Sequence, residues 1–300
     1  MKNLLEIISK PDNVAIVMMM ILVCFFTCLA FYYAITGDRR REKEAVEGIS
    51  PVTTAEIEDK VSTWHYLVRK EFLMTIAVII GLSVWSIVLN APMEQLANPT
   101  LTPNPAKAPW YFLGLQEMLV YFDPWIAGVV LPSLIIVGLC VIPYVDINPK
   151  GNGYYTWKER KFAISTFGFG FLVLWIVLIV IGVFMRGPGW LFYWPWQEWD
   201  LHGVAVETNV DFSQLIGIDS RTLAGSIIGG VVVMGYLALG TVLPYLYLTK
   251  RKSKALSELG LIRFLIVSHL FALMLALPIK IVLRLLFNIK YIWVTPWFNI

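Results

Sequence analysis

Six runs of apolar residues, each long enough to cross a bilayer, decide what this chain can become. They fall at Val14–Thr36, Phe72–Asn90, Trp125–Pro143, Phe162–Met185, Leu223–Leu248 and Leu261–Phe287. A helix of roughly 20 residues spans a hydrocarbon core of about 30 Å. Inside that core every backbone N–H and C=O must be paired within its own segment, so helices are the expected form. The composition agrees: 58% hydrophobic, 15% charged, mean hydropathy +0.69. The expected fold class is an all-α integral membrane protein with about six transmembrane helices. The net charge of +3 is spread over several loops and offers no nucleic-acid surface.

Charge placement orients the spans, because Lys and Arg near helix ends mark the cytoplasmic side. The first connection holds Arg39, Arg40, Arg41, Lys43, Lys60, Arg69 and Lys70. The third holds Lys150, Lys158, Arg160 and Lys161, and the fifth Lys250, Arg251, Lys252 and Lys254. The alternate connections are poor, with Lys107 in one and Arg186 and Arg221 in the other. Both termini are therefore expected outside, with the segment 98–121 on the outer face. No signal-peptide cleavage pattern ends the first run, which is expected to be retained.

Ligands for redox centres are sparse. Cys24, Cys28 and Cys140 lie in spans without a C-x-x-C-H, and read as buried thiols packing like small apolar residues. A bis-histidine haem needs two ligands at matching depth, whereas His65, His202 and His269 fall at different depths. No Cys or His cluster has metal-ligand spacing. Any redox centres are thus expected on partners, and His269 reads as an interhelical hydrogen-bonding residue. Lys280 and Arg284 sit within the last span, where a charge costs ~2.5–3.5 kcal/mol at the centre. They either snorkel to headgroups or take an ion pair or an anionic lipid.

The connection after the second span reads NPTLTPNPAKAPWYFLGLQEMLVY. Pro99, Pro103, Pro105 and Pro109 forbid a continuous helix. Pro109 then suits the start of a short helix running to about Phe122, which carries Glu117. An apolar ligand that releases protons with its electrons needs such a carboxylate at the edge of an apolar pocket. The bland alternative is a carboxylate facing water or a partner. Further on, GPGWLFYWPWQEWD places Trp190, Trp194, Trp196 and Trp199 where headgroups favour indole rings. In the fifth span Gly225 and Gly229, and likewise Ser226 and Gly230, are spaced for close helix contact.

These residues resemble the C-terminal half of cytochrome b, the part that exists separately as subunit IV in cytochrome b–f complexes. Ala97-Asn98-Pro99, then Ala108-Pro109-Trp110-Tyr111, then Pro143-Tyr144-Val145-Asp146 follow the order of that family's motifs. The resemblance makes spans two to four look like its helices E, F and G, a three-helix core within 64–185. Residues 1–63 are then an added anchor and cytoplasmic linker, 186–222 a Trp-rich outer interfacial segment, and 223–300 two further spans with an outer tail. The family's Glu of P-E-W-Y corresponds here to Pro109, which takes no proton. Glu117 is the expected replacement, with Gln116 or Asp123 as other contributors.

The resemblance implies a haem-free subunit of a quinol:cytochrome c oxidoreductase in a bacterial cytoplasmic membrane. Glu117 would be the catalytic residue, and Pro109, Trp110, Tyr111 and Gln116 would bind quinol, with menaquinol the expected quinone. The implied partners are a cytochrome b-like subunit carrying b-type haem, a Rieske iron–sulfur protein, a c-type cytochrome and membrane lipid. Two other readings stay open. One is a structural anchor in which Pro109 marks a lost site. The other is a transporter, for which Lys280, Arg284 and His269 speak.

Overall fold

The computed structural model describes residues 2–48, 62–90, 96–148, 155–200 and 208–295. Among these, six helices are long and apolar enough to cross a membrane, and the only β-pairing is two isolated bridges. The protein is a multi-pass helical membrane protein. Its chain divides into two compact units, 1–102 with 151–161, and 103–150 with 162–300.

In the first unit, α1 (Lys2–Ser9) folds back on the start of α2 (Pro11–Val46), where Ile7 and Ile16 are buried. Asn13 Nδ2 donates to Ile7 O at 2.8 Å across this corner. The apolar run ends near Thr36, yet α2 continues for ten more residues. Arg, Glu, Lys and Ala are good helix formers, and Arg40 pairs with Glu44 one turn on at 3.1 Å. Within that extension Asp38 is buried and accepts from Thr156 Oγ1 at 2.5 Å, Trp157 N at 3.0 Å and Lys158 N at 2.9 Å. The Asp38 carboxylate thus ties α2 to the segment that leads into α6. α3 (Thr63–Val88) buries none of its residues inside the chain.

The second unit holds α4 (Trp110–Met118), α5 (Ile126–Val145), α6 (Lys161–Met185), α7 (Leu223–Lys250) and α8 (Lys254–Phe287). The short α4 lies against the last turns of α6. Two glycines permit the approach: a Cβ on Gly182 would stand 3.3 Å from Leu113 Cβ, and one on Gly114 3.4 Å from Trp175 and Ile179. Met118, Tyr121, Ala127, Leu178 and Leu277 form the core where α4, α5, α6 and α8 meet. At Gly260, with φ +72°, α8 breaks its helical course. Only glycine adopts this backbone readily, and the break falls where the apolar run begins at Leu261.

α7 and α8 pack antiparallel. The close passage is at Gly240 and Ala272, 3.2 Å for an added Cβ, with Tyr236 Oη donating to Ala272 O at 2.7 Å. The helix contact expected at Gly225 and Gly229 is replaced by another. An added Cβ at Gly229 would lie 2.3 Å from Ile292 O, and at Gly225 2.4 Å from Asp219 O. Trp293 Nε1 donates to Ser226 Oγ at 3.2 Å. These small residues receive the chain's tail and its preceding turn rather than a neighbouring helix. The cysteines also differ from expectation. Cys24, Cys28 and Cys140 are free as expected but face outward, not into a core, where a thiol meets lipid as readily as a methyl group would.

Candidate functional site

Pro109 forms the N-terminal boundary of α4 with φ −52° and ψ 147°, a position where the missing N–H costs no helical bond. Gln116 folds back on it from the last turns of α4. Its Oε1 accepts from Ala108 N and its Nε2 donates to Ala106 O, both at 2.9 Å. The Pro-rich segment is thereby pinned along the helix it precedes. Lys107 reaches the end of α6, donating to Val183 O at 2.8 Å, and lies 5.8 Å over the Trp199 ring.

α4 has two unlike faces. Tyr111 and Phe112 are exposed, with ring centroids 4.7 Å apart, and the half-buried Trp110 meets Tyr111 edge-on at 5.6 Å. Leu113, Gly114, Glu117 and Met118 are buried. Pro109, Trp110, Tyr111 and Gln116 therefore gather at the opening of α4. Glu117 occupies its other face, turned toward α6.

The Glu117 side chain is 0% exposed and held by a forked guanidinium. Arg186 Nε donates to Oε2 at 2.9 Å and Nη2 to Oε1 at 2.5 Å, while Nη1 bonds Trp190 O at 2.9 Å. Tyr121 Oη donates to Glu117 Oε1 at 3.3 Å, one turn further along. A carboxylate withdrawn from water is tolerable only when so compensated. Sequence reading placed Arg186 among the loop charges and passed over Tyr121. The available signal was that a glutamate on an apolar helix face demands a cation, and Arg186 ends the span that α4 packs against.

Burial, and then the negative charge of Glu117, push the Tyr121 phenol up from its ordinary 10.0 to about 12. The folded state thus holds that proton where the unfolded chain has lost it. Stability from Tyr121 is complete below pH 10 and is lost as pH rises from about 10 to about 12. We expect the thermal midpoint of the wild type to fall relative to Tyr121→Phe across that window. Parallel profiles for the two proteins would show that the phenol does not titrate there.

Beyond α4 the chain turns through a corner fastened by residues from the far end of the sequence. Arg284 Nη1 donates to Val120 O, and Tyr291 Oη to Leu119 O at 3.2 Å. Asp123 is buried and accepts from Thr295 Oγ1 at 2.7 Å and Thr295 N at 3.4 Å. Lys280 is buried too, and donates to Ile289 O at 2.8 Å. Lys280 and Arg284 therefore both bind backbone carbonyls. His269 Nδ1 lies 2.9 Å from Leu265 O and 3.2 Å from Thr241 Oγ1 on α7, the interhelical bond its sequence position implied. His65 lies in the first turn of α3, and His202 falls outside the described residues. Among the described residues, no three His, Cys, Asp or Glu side chains are grouped to hold a metal ion.

Residues 96–192 match the family described as cytochrome b(C-terminal)/b6/petD. The match takes in α4, α5 and α6 with the Glu117–Arg186 pair. The chain is also similar to a menaquinol:cytochrome c reductase cytochrome c subunit of Bacillus subtilis (strain 168). That likeness is 30% identical over 131 residues, covering 41% of this chain and 49% of the relative. The protein of the same description from Geobacillus thermodenitrificans is 29% identical over 101 residues, 32% of this chain and 39% of the relative. The chain thus spans half or less of the length of these curated relatives. No solved structure matches. Sequence motif, helical architecture and family match converge on the same stretch: residues 96–192 are similar to the cytochrome b(C-terminal)/b6/petD family, within a chain that has six membrane-length helices among its described residues.

Proposed function

We propose that this chain is a haem-free subunit of a bacterial menaquinol:cytochrome c oxidoreductase, and that α4 forms part of its quinol oxidation site on the outer face. The observation that carries the reading is the buried Glu117–Arg186–Tyr121 cluster on α4, inside the matched domain. Oxidising a quinol to a quinone releases two electrons and two protons. The exposed rings of Tyr111 and Phe112, with Pro109 and Trp110 at the helix start, offer an apolar ledge for the quinol ring. As its hold on Arg186 loosens, the Glu117 carboxylate swings from the α6 side toward the ledge and takes one proton, while the second passes to water at the exposed opening of α4. The guanidinium already has a second anchor in Trp190 O. Electrons leave through partners: a cytochrome b-like subunit bearing b-type haem, a Rieske protein and a c-type cytochrome. Both termini face outside, on the charge distribution of the connections.

A second reading has its own observation. Glu117 is wholly enclosed in its ion pair, which also suits a structural anchor whose carboxylate only docks α4 on α6. Native purification through a tag on this chain, with a visible redox spectrum and a menaquinol oxidation assay, tests the proposal. Co-purifying b-type haem with menaquinol-dependent reduction of a c-type cytochrome is expected. A colourless preparation without partners defeats it.

A further inference from the structure

The corner after α4 is closed by residues that lie about a hundred positions beyond the matched domain. α4 ends at Met118, and the turns that follow leave the carbonyls of Leu119 and Val120 outside the helical ladder. Such end carbonyls need donors from elsewhere. Both donors come from the C-terminal part of the chain: Tyr291 Oη for Leu119 O, and the Arg284 guanidinium for Val120 O. Thr295 adds two bonds to Asp123, which itself accepts from Trp125 N at 3.2 Å ahead of α5. The tail is in turn seated on α7 through Gly229 and Ser226. The guanidinium also places a positive charge at the C-terminal end of α4, the favourable end for a cation. It is close enough to Tyr121 to oppose the rise in that phenol's pKa.

We propose that Arg284 is a positioning residue for the α4 site. Acting through the Val120 carbonyl, it fixes the last turn of α4 and hence the placement of Tyr121, Glu117 and the aromatic ledge. The two C-terminal helices are then part of the site's framework. This rests on the quinol reading for its functional consequence, while the clamp itself does not.

The test compares Arg284→Gln and Arg284→Lys in the complex purified through this chain, at matched haem content. Two readouts are taken: hydrogen exchange of the amides of 117–123, and the KM and kcat for menaquinol. Arg284→Gln is expected to raise exchange in this stretch by about tenfold or more. It should raise KM about fivefold and lower kcat with it, since the aromatic ledge and Glu117 are misplaced together. Arg284→Lys, which keeps a cationic donor, is expected to restore both. Tyr291→Phe, removing one hydroxyl, gives a smaller effect of the same sign and serves if Arg284→Gln does not assemble. Unchanged exchange in Arg284→Gln and Tyr291→Phe overturns the clamp. A fall in kcat alone, or Lys failing to restore KM, overturns the positioning role. If the wild-type complex oxidises no quinol, the quinol reading fails, and the exchange data still decide the clamp.

Discussion

Replacing Arg186 with alanine is expected to destabilise the second unit by about 3–5 kcal/mol, the usual cost of stranding one partner of a buried ion pair. The Glu117 side chain is 0% exposed, and two of its hydrogen bonds come from this guanidinium. Without it the carboxylate keeps only the long bond from Tyr121 at 3.3 Å. The loss spreads further, because Nη1 also ties the turn at Trp190 to the end of α6. A double substitution separates charge from packing. Glu117→Gln with Arg186→Met leaves no stranded charge and keeps most of the volume, so it should recover much of the loss. Thermal unfolding of the detergent-purified protein reads the effect. An Arg186→Ala midpoint within a degree of wild type would show that the pair does not hold α4 in place.

The span pattern was legible because bilayer length and backbone pairing leave few alternatives. The helix of residues 223–250 and the end of α6 at Met185 follow directly from the apolar runs. What hydropathy left out is where helix propensity outlasts it: α2 continues through RRREKEAV to Val46, well past the end of the apolar run. The aromatic and Pro109 side of the site was equally readable, since proline sets a helix start from sequence alone. Glu117's surroundings were not. Its partner is 69 residues away in sequence, and only the glycine-mediated packing of α4 on α6 brings the two together. The same limit hid the partner of Arg284. A cation near a span end reads as snorkelling or an ion pair, and a backbone carbonyl 164 residues distant leaves no trace in composition.

Glu117→Gln is expected to slow menaquinol oxidation by about 10²-fold or more, the scale of a lost proton acceptor. The substitution fills the same space and keeps one acceptor oxygen for Arg186, while the amide nitrogen replaces the second acceptor and the charge pair is lost. Assembly should survive it better than Arg186→Ala, because the guanidinium left behind is 11% exposed and keeps Trp190 O, whereas the carboxylate stranded by Arg186→Ala is 0% exposed. That contrast separates the two readings of the site. If Glu117 only docks α4, the amide should retain most of the turnover, and any loss should track the fall in stability. If Glu117 takes the proton, turnover collapses at normal haem content, well beyond what the fall in thermal midpoint accounts for. Tyr121→Phe offers the internal comparison. It deletes the hydroxyl that bonds Glu117 Oε1 but leaves the carboxylate, so it should reduce the rate far less than Glu117→Gln. Equal losses in the two variants would instead assign the effect to disturbed packing around α4, because no proton acceptor is removed by taking away a neutral phenol.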